Sequence, residues 1–400
     1  MSKGVAITGM GIISAIGNNV PENFHSLVSS KAGISKISHI DTIHANEIMV
    51  GEIKTTNSEF EAQLQLEENS YSRSPLLGII AANEAIAKAG ITNINDYKTG
   101  LISSTTVGGM DKSEQYFYEF FNSKNHWQHI NGLHAGDSTK KIAEAIGLQE
   151  SFVTTISTAC SSAANAIMLG ARMIKSGRLD RVVVGGTDAL SKFTINGFKT
   201  LMILSDTYNT PFDENRKGLN LGEAAAFLVL ESENIVASEN REVLAYVKGY
   251  GNSNDAFHQT ASSENGDGAV LAMEKALKVA GLKPEDIDYV NAHGTATPNN
   301  DLSEGRAMLR IFGEGKVPDF SSTKAYTGHT LAAAGGVEAV YSVLALQNNR
   351  IYPNLNLKKH MKEFDLRPQT KVIEKEIKHV LSNSFGFGGN CSTLIISKEA

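Results

Sequence analysis

Cys160 is the residue whose surroundings most favour chemistry. It stands in Ser157-Thr158-Ala159-Cys160-Ser161-Ser162. Before it, residues 152–156 read as a strand; after it, the small-residue run 160–176 reads as a helix ended by Gly177. A thiol at that junction sits at a helix N-terminus, where unsatisfied N–H groups and the helix dipole favour thiolate. A free thiol of pKa ~8.5 is only slightly ionised at neutral pH, so the siting would activate it. The competing reading is a buried cysteine that packs as a small hydrophobe.

Two histidines stand in comparable settings. His293 lies in Asn291-Ala292-His293-Gly294-Thr295-Ala296-Thr297-Pro298, just past a strand end. His329 lies in Thr327-Gly328-His329-Thr330, ahead of the small-residue run 331–336. Glycine and threonine flank both, which places them in loops where a backbone can approach a ligand closely. The sequence by itself does not bring the thiol and the imidazoles together.

The elements that must position these groups alternate between strand and helix. Residues 5–8 form a first strand running into Gly9-Met10-Gly11, but Ser14 stands where a dinucleotide fingerprint needs its third glycine. A tight turn after a buried strand is the better reading. Further strands are expected at 101–105, 152–156, 181–186 and 225–231, and helices at 21–30 and 74–89. In the latter, Glu84 and Lys88 stand at i, i+4, and Gly90 stops the helix. The aromatic stretch 112–140 reads as a cap or interface insertion.

After a polar break at 232–242 the pattern restarts, with residues 243–251 repeating the strand and Gly-x-Gly theme. The strand 287–291 ending in His293 would match 152–156 leading to Cys160, and 380–384 would match 181–186. The expectation is an α/β body of two duplicated βα halves, 1–242 and 243–400, with helices between and outside two sheets.

Composition narrows the classes. The 400 residues are 41% hydrophobic and 20% charged, with a net charge of −6. That suits a folded soluble protein and does not suit non-specific nucleic-acid binding. Two cysteines exclude a disulfide scaffold and a four-cysteine zinc site. The opening apolar run is broken by glycine and threonine, so it reads as neither signal peptide nor membrane span. A cytoplasmic enzyme is the expectation.

At this point the chain resembles the elongating β-ketoacyl-acyl-carrier-protein synthases of the thiolase-like superfamily. The motifs are Thr158-Ala159-Cys160-Ser161-Ser162, Pro211-Phe212-Asp213 with Gly222-Glu223, the stretch 291–298, Ser322-Thr323-Lys324 with Gly328-His329, and 383–389 (Asn-Ser-Phe-Gly-Phe-Gly-Gly). They recur in the family's order and cover essentially the whole chain. The resemblance implies a thiolase-like, five-layer αβαβα fold. It implies that Cys160 takes an acyl group from a carrier-protein thioester. His293 and His329 would hold the malonyl thioester carbonyl and assist decarboxylation. The backbone N–H groups of Cys160 and Phe387 would form an oxyanion hole, with Phe387 gating on Gly386 and Gly388. Lys324 and Glu338 match a buried supporting pair; Lys324, five residues before His329, would stand near it and keep the imidazole neutral. Thr295 and Thr297 match positions that bind the phosphopantetheine arm, although plain turn hydroxyls are a credible alternative. Cys391 would serve packing.

The resemblance also implies partners: acyl- and malonyl-loaded acyl carrier protein, and a second subunit in a homodimer or ketosynthase heterodimer. No metal or redox cofactor, nucleic acid or membrane insertion is implied. The alternatives are a coenzyme A-dependent thiolase, disfavoured by the two histidines, and a non-catalytic chain-length partner, disfavoured by Cys160. Departures from the family pattern are Asn390-Cys391 in place of Thr-Asn, Lys217 in place of aspartate, and Gln259 in place of methionine. Around 66–80 only Arg73 remains of the basic docking residues. These variations are similar to those of synthases that build polyene pigments, where Val107 and Phe198 would line the acyl or dimer-contact pocket; fatty-acid elongation is the other pathway.

Overall fold

A computed structural model describes residues 4–149 and 151–400. The main strands are β1 (Val5–Ser14), β2 (Thr99–Ser104), β3 (Phe152–Ile156), β4 (Arg181–Asp188), β5 (Ala224–Glu231), β6 (Ala245–Asn254), β7 (Tyr289–Asn291), β8 (Asp319–Ser321), β9 (His379–Phe385) and β10 (Asn390–Ser397). They lie in the order β8-β7-β9-β10-β6-β1-β5-β4-β2-β3. Numbered within its own half, each set of five strands has the order 3-2-4-5-1 and the same parallel and antiparallel pairings. The two expected sheets are therefore one at their shared edge: β1 and β6 pair antiparallel over three residue pairs, Val5 with Val247 to Ile7 with Ala245.

The main helices are α1 (Arg73–Lys88), α2 (Ala135–Ala145), α3 (Ser162–Lys175), α4 (Lys192–Thr200), α5 (Asp267–Ala280), α6 (Pro298–Phe312) and α7 (Ala334–Asn348). Three apolar clusters give the layers. One packs α1 and α2 on one face of the first half, and another packs α5 and α6 on one face of the second. The largest places α3 and α7 between the halves. Residues 334–346 of α7 are buried on every side, as a helix apolar all round must be. The result is the five-layer arrangement.

The repeated Gly-x-Gly is explained by packing. A Cβ on Gly9 or Gly11 would stand 2.1 Å from the carbonyl oxygens of Ala85 and Ala81 on α1. On Gly249 and Gly251 it would stand 2.4 and 2.0 Å from those of Ala276 and Ala272 on α5. Each pair of glycines seats an alanine-rich helix against its strand and has no ligand role.

Several expectations are corrected. In the sheet order β7 occupies the place of β2, so the counterpart of the strand before Cys160 is β8, which leads to Lys324. The 232–242 break carries a short helix, Glu233–Ser238. Glu84 and Lys88 do not pair: Glu84 accepts from the backbone N–H groups of Ile12 (2.9 Å) and Val20 (2.8 Å), and Lys88 reaches Glu242 (3.2 Å). An inward-turned carboxylate satisfies two otherwise unpaired donors, which outweighs an exposed ion pair. Arg73 is not a docking residue either. It is buried, with Nε and Nη2 at 2.9 and 2.8 Å from the two Glu223 carboxylate oxygens.

Candidate active site

Cys160 sits on a sharp turn between β3 and α3. Ala159 holds a left-handed φ of 51°, a strained conformation for a residue with a Cβ. Ser162 braces the turn: its Oγ accepts from Thr158 N at 2.8 Å and donates to Ala159 O at 2.6 Å. The thiol is buried, and burial pushes it up to about 12, against the lowering effects of Lys324 and of a hydrogen bond from the Phe387 backbone N–H. Burial thus opposes the activation expected from the helix N-terminus.

His293 hangs from the end of β7. Its N–H and that of Gly294 donate to the two oxygens of Glu304 at 2.9 and 2.8 Å, and Asn383 Nδ2 donates to Glu304 Oε1 at 3.1 Å. Burial still pushes Glu304 up to about 7. His329 is pinned through its backbone, N–H to Asn220 O at 2.7 Å and O from Gly222 N–H at 2.9 Å. The two imidazoles meet edge to face, centroids 5.4 Å apart. Burial first, and then the Lys324 charge, hold both well below the usual histidine range.

Lys324 lies in a short helix, Lys324–Thr327, rather than a loop; its charge lowers the His329 pKa as expected, but its direct contact is with His293. Its Nζ is 3.2 Å from His293 Nδ1 and is ion-paired with Glu338 on α7. Ser384 Oγ donates to the second Glu338 oxygen at 3.2 Å. An ammonium can only donate, so His293 Nδ1 must accept, and its proton stands on Nε2. His329 Nδ1 has no partner among the described residues.

A cavity of about 410 Å³ is lined by Cys160, His293, His329, Thr295, Thr297 and Phe387, among others. The Thr295 and Thr297 hydroxyls are 2.9 Å apart, and Thr297 also caps α6. A second, apolar cavity of about 350 Å³ is lined by Val107, Phe193, Phe198, Leu201 and Leu331. Cys160, Phe198 and Phe387 border both, with the two rings stacked 6.0 Å apart. Gly386 abuts the Cys160 turn: a Cβ there would stand 2.7 Å from Thr158 O and 3.2 Å from Cys160 N. Gly388 lies at the exposed tip of its turn, with φ 80°. It lines neither cavity; its N–H donates to Gln259 O at 2.7 Å. Cys391 is buried in the second half's core, and one side of it contributes to the larger cavity. A buried thiol, two imidazoles held below their usual range and an apolar chamber thus meet at one place.

Two family models match the chain, β-ketoacyl synthase N-terminal domain over residues 2–234 and β-ketoacyl synthase C-terminal domain over residues 244–358. The chain belongs to the β-ketoacyl synthase family. It is 33% identical to 3-oxoacyl-[acyl-carrier-protein] synthase 2 of Staphylococcus aureus (strain N315), over 99% of both chains. Among solved structures it is similar to the ishigamide ketosynthase/chain length factor (TM-score 0.93, 28% identity, 100% of both chains). It is also similar to the ketosynthase (ApeO) in complex with its chain length factor (ApeC) from Xenorhabdus doucetiae (TM-score 0.87, 31% identity, 99% of this chain and 98% of that one). This ketosynthase is accordingly an acyltransferase. Among its described residues no helix is long and apolar enough to cross a membrane.

Sequence reasoning missed Glu304, which no motif marked, and gave Asn390 no role beyond a departure. Glu304 stands eleven residues after His293, at a spacing that becomes meaningful only once α6 folds back on the loop.

Proposed function

We propose that this ketosynthase loads an acyl group from acyl carrier protein onto Cys160 and condenses it with malonyl carrier protein, releasing carbon dioxide and a β-ketoacyl carrier protein. The observation that carries the residue roles is the meeting of Cys160, His293 and His329 on one cavity, with Lys324 fixing the His293 tautomer.

In loading, Cys160 Sγ bonds the acyl carbon and the carrier thioester C–S bond breaks. The thiol proton goes to the departing phosphopantetheine sulfur, so no free thiolate need persist in a site that disfavours it. In condensation, the malonyl C–C bond breaks and its electron pair delocalises onto the thioester oxygen. Nε2–H of each neutral imidazole donates to that oxygen. The carbanion then attacks the acyl-Cys160 carbon, and the tetrahedral oxyanion faces the N–H groups of Cys160 and Phe387. Collapse expels the Cys160 sulfur, which regains a proton from water. Donors aimed in advance at such an oxyanion are each worth a few kcal/mol. Thr295 and Thr297 hold the phosphopantetheine arm, and the chamber beside Val107 and Phe198 takes the acyl chain.

The division at 242/243 assigns the nucleophile to the first half and both histidines to the second. A second subunit of the same fold, identical or a chain length factor, fits the unpaired edge of β3. There Phe152 and Val153 are 39% and 41% exposed, an apolar sheet edge of the kind proteins cover. Polyene-type chains are the favoured substrates; what supports this is the departures near the gate, together with the likeness to two solved ketosynthases described with chain length factors. The assembly works in the cytoplasm.

Intact-mass measurement with saturated and polyunsaturated acyl carrier proteins tests this. An adduct on Cys160, absent in C160A and discharged as β-ketoacyl product by malonyl carrier protein, is expected. Adduct formation by C160A would overturn the nucleophile, and preferential loading of saturated chains would overturn the polyene reading.

A further inference from the structure

The gate turn carries a polar hub that none of the catalytic steps uses. Asn390, the first residue of β10, accepts at its Oδ1 from Asn165 Nδ2 and Asn252 Nδ2, both at 2.9 Å. Ser161 Oγ and Ser392 Oγ stand 2.8 and 3.4 Å from the same oxygen, and the single Ser161 hydroxyl proton is shared between it and Thr158 O at 2.7 Å. The amide nitrogens of Asn165 and Asn252 can only donate, so the atom they share is the carboxamide oxygen. The Nδ2 of Asn390 has no partner among the described residues, so the side chain acts purely as an acceptor. The donors come from both halves. Ser161 follows the nucleophile and Asn165 lies one turn into α3, whereas Asn252 belongs to β6. Asn165 Nδ2 also donates to Thr158 Oγ1 at 2.9 Å, which carries the hub to the front of the Cys160 turn. On the other side, Gly386 N–H donates to Asn390 O at 2.8 Å, closing the gate turn on its own end.

We infer that Asn390 is a positioning residue. Its carboxamide oxygen clamps the C-terminal end of the 386–389 turn to the helix that carries the nucleophile. The N–H groups of Cys160 and Phe387 belong to different halves of the chain, about 230 residues apart in sequence, and an oxyanion needs both at once. The clamp is a side-chain bridge between them: it reaches α3 at Asn165 and the Cys160 turn at Ser161, and Asn390 stands three residues from Phe387. With it, the turn can swing the Phe387 ring between the two cavities while the Phe387 N–H returns to the same place. The inference rests on the ketosynthase reading above.

The test compares wild type, N390A and N390D. Asp keeps an acceptor oxygen for the same donors, replaces an amide that bonds none of the described residues, and adds a negative charge that those donors stabilise. Three quantities are measured: single-turnover loading of Cys160, melting temperature, and hydrogen–deuterium exchange of the backbone. For N390A we expect the maximal loading rate to fall tenfold or more, with half-saturation by acyl carrier protein changed less than threefold and the melting temperature within a few degrees. N390D should load within threefold of wild type. Exchange should rise in N390A at 157–162 and 386–391 together, and this readout does not depend on activity. Loading by N390A within twofold of wild type, equal losses in N390A and N390D, or exchange rising in the gate turn alone would each overturn the inference. Wild type that forms no adduct would count against the proposed function, and the exchange result would still decide the clamp.

Discussion

Cys160 and the two histidines carry charge states set by burial. With its thiol pushed up to about 12, Cys160 gains thiolate tenfold per pH unit across the accessible range. Alkylation by iodoacetamide should therefore climb steadily from pH 7 to pH 10; a plateau near 8.5 would mean an activated thiol. The linkage has the same sign, since the unfolded thiol loses its proton above ~8.5 while the folded one keeps it, so this group costs stability as pH rises past that value. The histidines run the other way. Held below their ordinary range, they stay neutral through pH 6.5, and their contribution to stability is lost only as pH falls below it. We expect the acid limb of kcat/KM to lie below pH 6, and an inflection near 6.5 would contradict it. The identities of these three residues were legible in the sequence through their Gly, Thr and small-residue settings. The direction of the Cys160 shift was not, because desolvation comes from elements remote in sequence. Nor was the partner of Lys324, because five residues of apparent loop fold as a short helix that turns the ammonium toward His293.

At the scale of elements, strands and helices were readable from periodicity and glycine stops, and their correspondence between halves was not. The strand before His293 and the strand before Cys160 look alike locally, yet sheet order assigns them to different positions, because pairing is decided by partners far along the chain. Glu84 makes a similar point. Its helical spacing suggests a surface pair, whereas its carboxylate links α1 to β1 and to Val20. Glu84→Ala would leave two backbone donors short of a partner and should cost about 1–3 kcal/mol, read from urea denaturation. A loss under 0.5 kcal/mol would mean that water replaces the carboxylate. The Lys88–Glu242 contact is exposed, and Lys88→Ala should change almost nothing.

The whole molecule depends on contacts that no local reading foresees. Arg73 at the start of α1 and Glu223 at the start of β5 form a buried bidentate pair, and Glu223 also accepts from Ile53 N–H at 3.0 Å and Leu190 N–H at 3.1 Å. Three segments of the first half converge on the carboxylate of a fourth. Arg73→Ala leaves that carboxylate uncompensated and should cost roughly 3–5 kcal/mol. Calorimetry that finds an unchanged melting temperature would show the network to be dispensable. The sequence offered Arg73 as the last basic docking residue, which illustrates how little a charge reveals without its burial.

The repeated sheet order has a consequence for how the chain is made. β1 ends at Ser14, but its first partner, β5, ends at Glu231 and its second, β6, follows at 245–254. At ~5–20 residues per second a ribosome takes roughly 10–45 s to deliver β5. Throughout that interval a ten-residue apolar strand, destined for the centre of the sheet, has no edge to join. Nascent chains of this protein should hold β1 open to chaperones until the first half is synthesised.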